Sequence, residues 1–192
     1  MIAIIDYGAG NTKSLQFALD RLRLKSLLTS NADQIINADK VIFPGQGAAK
    51  SAMDKLKQHE LDKIIPDLKQ PVLGICLGMQ LFCRHTEEGD VQGLGIIDAS
   101  VKRFTNEVKV PQIGWNSIHQ LDGPLFNGIE DGDYMYSVHS YFVPKLKETV
   151  AISNYNVAYS VALNKDNFYG VQFHPEKSSR KGQMLLNNFL NI

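Results

Sequence analysis

Residues 71–80, PVLGICLGMQ, decide how this chain is read. An apolar run suited to a buried strand ends at Gly74-Ile75-Cys76, and a helix-like run opens at Leu77-Gly78-Met79-Gln80. A cysteine with glycine two residues before and two after it, on a strand-to-helix turn, is the sulfur counterpart of the nucleophile elbow. Without a Cβ at Gly74 and Gly78 the backbone can bend sharply and a substrate can approach closely. The helix N-terminus beside Cys76 offers unpaired N–H groups and partial positive charge, which favour a thiolate. A cysteine that only fills space needs neither glycine, and a helix glycine costs ~1 kcal/mol relative to alanine.

Outward from the elbow, the first half of the chain alternates strand and helix. Strands are expected at Ile2–Ile5, Lys25–Thr29, Val41–Phe43 and Val72–Ile75, and helices at Thr12–Leu22, Asn31–Ala38, Gly47–Leu68 (broken near His59) and Leu77–Arg84. On the first helix Leu15, Ala18, Leu19 and Leu22 form one apolar face. Such alternation implies a parallel sheet with helices on both faces. From Gly95 onward strands dominate, at 96–104, 113–119, 134–143, 149–155, 157–164 and 168–173, with a hairpin turn at Lys165-Asp166-Asn167. An amphipathic helix, Ser178–Leu190, closes the chain, with Ser178 or Ser179 as its cap. The expectation is one α/β domain over residues 1–192 whose sheet gains antiparallel strands in its second half.

The bulk numbers narrow the class. The 192 residues include 20 basic and 20 acidic side chains, 44% hydrophobic residues and 21% charged ones. That balance argues against nucleic acid or an anionic membrane as the main partner. No apolar run approaches the ~20 residues that span a bilayer, and MIAIIDYGAG reads as a first strand, not a signal peptide. The two cysteines, Cys76 and Cys83, are poorly placed for a disulfide and too few to form a metal site alone. Free thiols suit a reducing cytoplasm. No cofactor and no metal are expected.

Far downstream, Phe173-His174-Pro175-Glu176 supplies an imidazole and a carboxylate two positions apart. In an extended segment residues i and i+2 point the same way, so His174 and Glu176 are expected on one side, with Cys76 as their nucleophile. His174 would take the thiol proton and later protonate a leaving amine, and Glu176 would hold the other ring nitrogen. Cys83 lacks flanking glycines and reads as a packing residue. His59 and His85 read as surface groups, His119 as a strand-end residue without an evident partner, and His139 as a hydrogen-bonded wall residue. The loop Pro44-Gly45-Gln46-Gly47-Ala48 lacks a Walker ending. It reads as an oxyanion hole, with backbone N–H groups of Gly45, Gln46 and Gly47 as candidate donors. Gly8-Ala9-Gly10-Asn11 does not complete a dinucleotide fingerprint, which excludes NAD.

These segments resemble the class I glutamine amidotransferases over essentially the whole chain. GICLGMQ and FHPE belong to the class at large. DYGAGN at 6–11, PGQGAAKSAM at 44–53, PQIGWN at 111–116, YMYSVHSY at 134–141 and GVQFHPEKS at 170–178 are similar to the branch that feeds ammonia to a cyclase in histidine biosynthesis. The resemblance implies a flavodoxin-like doubly wound mixed sheet flanked by helices. It implies hydrolysis of glutamine to glutamate and ammonia through a thioester on Cys76. It places substrate contacts at Gly47, Gln80, Glu88, Ser140 and Tyr141. It also implies a heterodimer with a β/α-barrel cyclase subunit, docked through Asn11, Pro111, Trp115, Asn116, Tyr136 and Lys177. One departure is Gln46, where the family usually carries an apolar residue, often Val; it bears on how the oxyanion loop is set. Two further readings remain: a paralogue that supplies ammonia to another acceptor such as a sugar, and a catalytically silent scaffold for the cyclase. The Cys76/His174/Glu176 set argues against the scaffold.

Overall fold

Alternating apolar strands and one-faced helices have little choice but to layer, and the computed structural model, which describes residues 1–8 and 12–192, has that arrangement. Its first half runs β1 (Ile2–Ile5), α1 (Thr12–Arg21), β2 (Ser26–Thr29), α2 (Ala32–Ile36), β3 (Lys40–Phe43), α3 (Ala49–Gln58), α4 (Leu61–Ile64), β4 (Val72–Ile75) and α5 (Leu77–Leu81). The second half runs β5 (Cys83–Thr86), β6 (Val91–Gln92), β7 (Ile97–Arg103), β8 (Gln112–Ser117), β9 (Tyr134–His139), β10 (Tyr141–Pro144), β11 (Thr149–Tyr155), β12 (Val157–Lys165), β13 (Phe168–Val171) and α6 (Ser179–Leu190).

Among the described residues eleven strands form one sheet, in the order β2-β1-β3-β4-β13-β12-β10-β7-β5-β6 with β11 on β12. The first five of these are mutually parallel. The order 2-1-3-4 followed by a last strand is that of flavodoxin-like sheets. Strand alternation sends Ala3, Ile5, Val41 and Phe43 to one core, with Met53 and Leu56 of α3. Ile2, Ile4 and Ile42 go to the other, with Leu15 and Leu19 of α1 and Leu185 and Phe189 of α6. Helices on both faces leave the carboxyl ends of the parallel strands open, and in such sheets ligands bind there. Gly45 after β3 and Cys76 after β4 both lie at that edge.

The structure departs from expectation in four places. The helix after the elbow stops at Leu81, and Cys83–Thr86 is a strand whose Cys83 and Ile97 are parallel partners. A short apolar run does not distinguish strand from helix by periodicity. The expected strand 134–143 is two strands split at Ser140: β9 pairs with β8 in a separate ribbon, and β10 joins the main sheet. The last strand ends at Val171 rather than Phe173, and the His174 N–H donates instead to the Tyr136 carbonyl at 2.8 Å, so the chain crosses to β9. Neither serine caps α6 with its side chain. The Ser178 hydroxyl donates to the His174 carbonyl at 2.7 Å and accepts the Tyr136 N–H at 2.9 Å, tying the His174 backbone to β9.

Candidate active site

The elbow is built by backbone crowding. A Cβ on Gly78 would lie 2.1 Å from the Phe43 carbonyl oxygen, and one on Gly45 would lie 2.3 Å from the Gly78 nitrogen. The end of β3 and the start of α5 therefore touch main chain to main chain. Cys76 between them sits at φ +52°, ψ −109°. For a residue with a Cβ such a conformation costs ~1–3 kcal/mol and persists only when its surroundings impose it. They do: the Cys76 N–H donates to the Val171 carbonyl at 2.7 Å, and its carbonyl accepts from the Gln80 N–H at 3.1 Å.

Pairing β13 beside β4 brings the C-terminal segment to the same edge. Pro175–Lys177 is a 3₁₀ turn. Glu176 thus curls back toward His174 instead of following it along an extended strand, and Nδ1 of His174 meets Oε1 of Glu176 at 2.8 Å. Both side chains are almost wholly buried. With Nδ1 engaged, Nε2 is the ring nitrogen left for other work, and His174 and Cys76 line the same cleft. Burial drives the His174 pKa down, but the hydrogen bonds and charges of Cys76 and Glu176 outweigh it and push the pKa up to about 10. The imidazolium is the favoured form.

His139 shows the opposite tuning: buried, with Nδ1 on the Tyr141 carbonyl at 2.8 Å, it is pushed down to about 4 by desolvation and by the charge of His174. Cys83, buried in the core, has its thiol pushed up to about 12 by desolvation. His85 and His119 are more engaged than the sequence suggests. His85 bridges Ser100 and Asp90, and His119 bridges Ser117 and Asp131.

A cleft of about 400 Å³ opens over the sulfur. It is lined by Cys76, His174, Gly45, Gln46, Gly47, Gln80, Glu88, Ser140 and Tyr141, with Pro111 and Lys177 among the further lining residues. That size suits an amino acid. Glu88 is half-buried, its Oε2 accepts the Ala49 N–H at 3.0 Å, and desolvation raises its pKa despite that bond. Gln80 donates from Nε2 to the Tyr141 carbonyl and to Gln172, both at 2.9 Å. The Tyr7 phenol is buried, lies outside the cleft lining and donates to the Pro44 carbonyl at 2.7 Å.

Beside the cleft the β8–β9 ribbon turns an apolar face outward. Trp115 is 53% exposed, with Ile113 and Tyr134 similarly open. The Trp115 ring meets Tyr136 edge-on at 6.0 Å. Asn116 alternates to the other face, where its amide donates to the Asn154 carbonyl at 3.0 Å. Asn11 lies outside the described residues. Gln172 was missed by sequence reasoning. It is fully buried and its amide reaches Cys76; only its position two before His174 on an extended segment could have pointed to it.

Comparison with known proteins gives the class. The class-I glutamine amidotransferase family model matches residues 3–192, and the chain belongs to that family. A solved glutamine amidotransferase superposes with a TM-score of 0.78 over 100% of this chain and 98% of its own, at 16% identity, which bears on the fold alone. More particular are two curated relatives, both described as imidazole glycerol phosphate synthase subunit HisH. That of Bacteroides fragilis is 50% identical over 100% of this chain and 99% of its own length. That of Oceanobacillus iheyensis is 48% identical over 98% of each.

Proposed function

We propose that this chain is the glutaminase subunit of an imidazole glycerol phosphate synthase. What supports the reading is that Cys76 and His174 line one amino-acid-sized cleft, with Glu176 hydrogen-bonded to His174, in a chain similar from end to end to HisH subunits. Cys76 attacks the side-chain carbonyl carbon of glutamine. The oxyanion is received by backbone N–H groups of the loop around Gly47 and of Leu77, the residue after the nucleophile. His174 delivers its Nε2 proton to the departing nitrogen, so ammonia leaves and a glutamyl thioester remains. Water then attacks the thioester, His174 takes its proton, and glutamate leaves as the thiolate reforms. Glu176 keeps the ring oriented and charged. Glu88 and the Gln80 carbonyl oxygen are acceptors for the substrate's ammonium, and Ser140 and Tyr141 line its carboxylate end.

The partner of the proposed heterodimer, a β/α-barrel cyclase, docks on the ribbon face of Trp115 and Tyr136 and on the cleft rim at Pro111 and Lys177. Exposed aromatic anchors of this kind dominate binding energy at interfaces. The whole chain acts as one domain in the cytoplasm, using glutamine and no cofactor.

The test is to incubate the chain with glutamine, with and without the barrel cyclase and its nucleotide substrate, and to measure glutamate. Release that rises strongly when both are present supports the reading. No release under any condition overturns it, and release that the cyclase never stimulates points to another acceptor.

A further inference from the structure

Gln172 is 0% exposed, and a fully buried carboxamide must find partners for its donors and its acceptor. Amide nitrogen and oxygen are told apart by the hydrogen-bond network, and here the network has a fixed end. The Tyr141 carbonyl can only accept, so the Gln80 atom 2.9 Å from it is the nitrogen, Nε2. The same nitrogen lies 2.9 Å from the Gln172 side chain, so the atom it meets there is the oxygen, Oε1. What remains of the Gln172 amide is its nitrogen, and that nitrogen lies 3.5 Å from Cys76 Sγ. A backbone carbonyl on the cleft wall thereby dictates, through two side chains, that the sulfur faces an N–H.

The other neighbours of the sulfur do different work. The imidazole of His174, which lines the cleft with Cys76, has the proton-transfer role in the proposed function. The Val138 carbonyl at 3.8 Å accepts weakly from a thiol and offers nothing to a thiolate. Gln172 carries no formal charge and no titratable proton, so it favours the anion without competing for the proton. Hydrogen bonds to an ionised acceptor are roughly twice as strong as neutral ones. Its place also follows from the chain path. Gln172 directly follows β13, its N–H still donating to the Val161 carbonyl at 2.9 Å, and its side chain reaches Cys76 at the elbow.

We infer that Gln172 is a catalytic residue that donates its carboxamide N–H to the Cys76 thiolate and holds the sulfur in line for attack, with Gln80 as the group that orients it. The inference rests on Cys76 being the nucleophile, but its test does not need glutamine. The rate of Cys76 alkylation by iodoacetamide is followed from pH 5 to 10 in the full chain and in two variants, and thermal unfolding checks that each is folded. Gln172→Glu keeps the acceptor for Gln80 and replaces the donor by a like charge; Gln172→Met keeps the volume and removes both. At pH 7 alkylation should slow about tenfold in Gln172→Met and further in Gln172→Glu. The pH profile should move to higher pH by about one unit in Gln172→Met and by more in Gln172→Glu. Folded variants with the parental rate and profile overturn the inference, as does a lower melting temperature with an unmoved profile, which marks a purely structural role. The unaltered protein gives a reading independent of variant folding: the side-chain amide proton resonance of Gln172 should shift as Cys76 is ionised, and a resonance blind to that ionisation overturns the inference. If the chain hydrolyses no glutamine, the proposed function falls while the alkylation profiles still judge Gln172.

Discussion

Two imidazoles line the same cleft, both buried, both with Nδ1 in a 2.8 Å hydrogen bond, and they are tuned in opposite directions. His174 is pushed up to about 10 and His139 down to about 4. Burial acts on both the same way. The difference is what each ring faces: a carboxylate and a thiol for His174, a backbone carbonyl and the Tyr159 phenol for His139. Desolvation alone makes a neutral ring, and anionic partners reverse the outcome. In the proposed function the contrast separates a group that moves protons from one that shapes the wall, although both are histidines lining one cleft.

The hardest test of that contrast is replacement of each ring by an amide. His174→Gln is expected to lower glutamine hydrolysis by about 10⁴-fold or more, whereas His139→Gln stays within about tenfold; comparable losses in glutamate release would break the distinction. Next is the carboxylate that separates them. Glu176→Gln keeps the shape and removes the charge, and turnover should fall about a thousandfold, with the His174 ring resonance titrating at a lower pH than in the parent. Then comes stability against pH. His139 has a folded pKa below its unfolded value of about 6.5, so the unfolded chain binds more protons between those values and stability drops as pH falls from about 6.5 through about 4. The loss is of order 3 kcal/mol, and urea midpoints at pH 7 and pH 4.5 should converge in His139→Gln. His174 has the opposite sign: its contribution is full below about 6.5 and is lost as pH rises through about 10. The smallest effect belongs to the sulfurs. Cys83→Ala should cost about 1–2 kcal/mol and leave activity intact, and at pH 8 iodoacetamide should label Cys76 and spare Cys83, whose buried thiol is pushed up to about 12; labelling of both, read by mass spectrometry, counts against it.

Glycine and cysteine carried most of what was readable in the sequence. Gly74 and Gly78 announce an elbow because a Cβ at either would collide with its neighbours there. The parallel half was legible from apolar runs bounded by turns. β5 and β6 were not, because their pairing comes from β7 and from a close approach of Gly93 to the Cys83 carbonyl, neither of which leaves a periodic trace. The pairing of His174 with Glu176 was expected for a reason the backbone does not follow. The strand ends at Val171 and Pro175 opens a 3₁₀ turn, so strand alternation does not reach from His174 to Glu176. Gln172 stayed hidden because a lone glutamine has no spacing rule. The outward face of Trp115 depends on the register of Gln112 to Ser117 against His139 to Tyr134, which a single strand's pattern leaves open.

The slot between β4 and β12 has a consequence for synthesis on the ribosome. It is filled by β13, whose residues are made after every other described strand of the sheet. Until they emerge, the nascent polypeptide has a cysteine without its imidazole and an apolar strand, Val72–Ile75, with one margin bare. Exposed edges of that sort invite pairing with other chains. A message truncated just short of Phe168 would yield a product unable to consume glutamine and prone to aggregate, so the enzyme gains activity and protection from aggregation in the same late step.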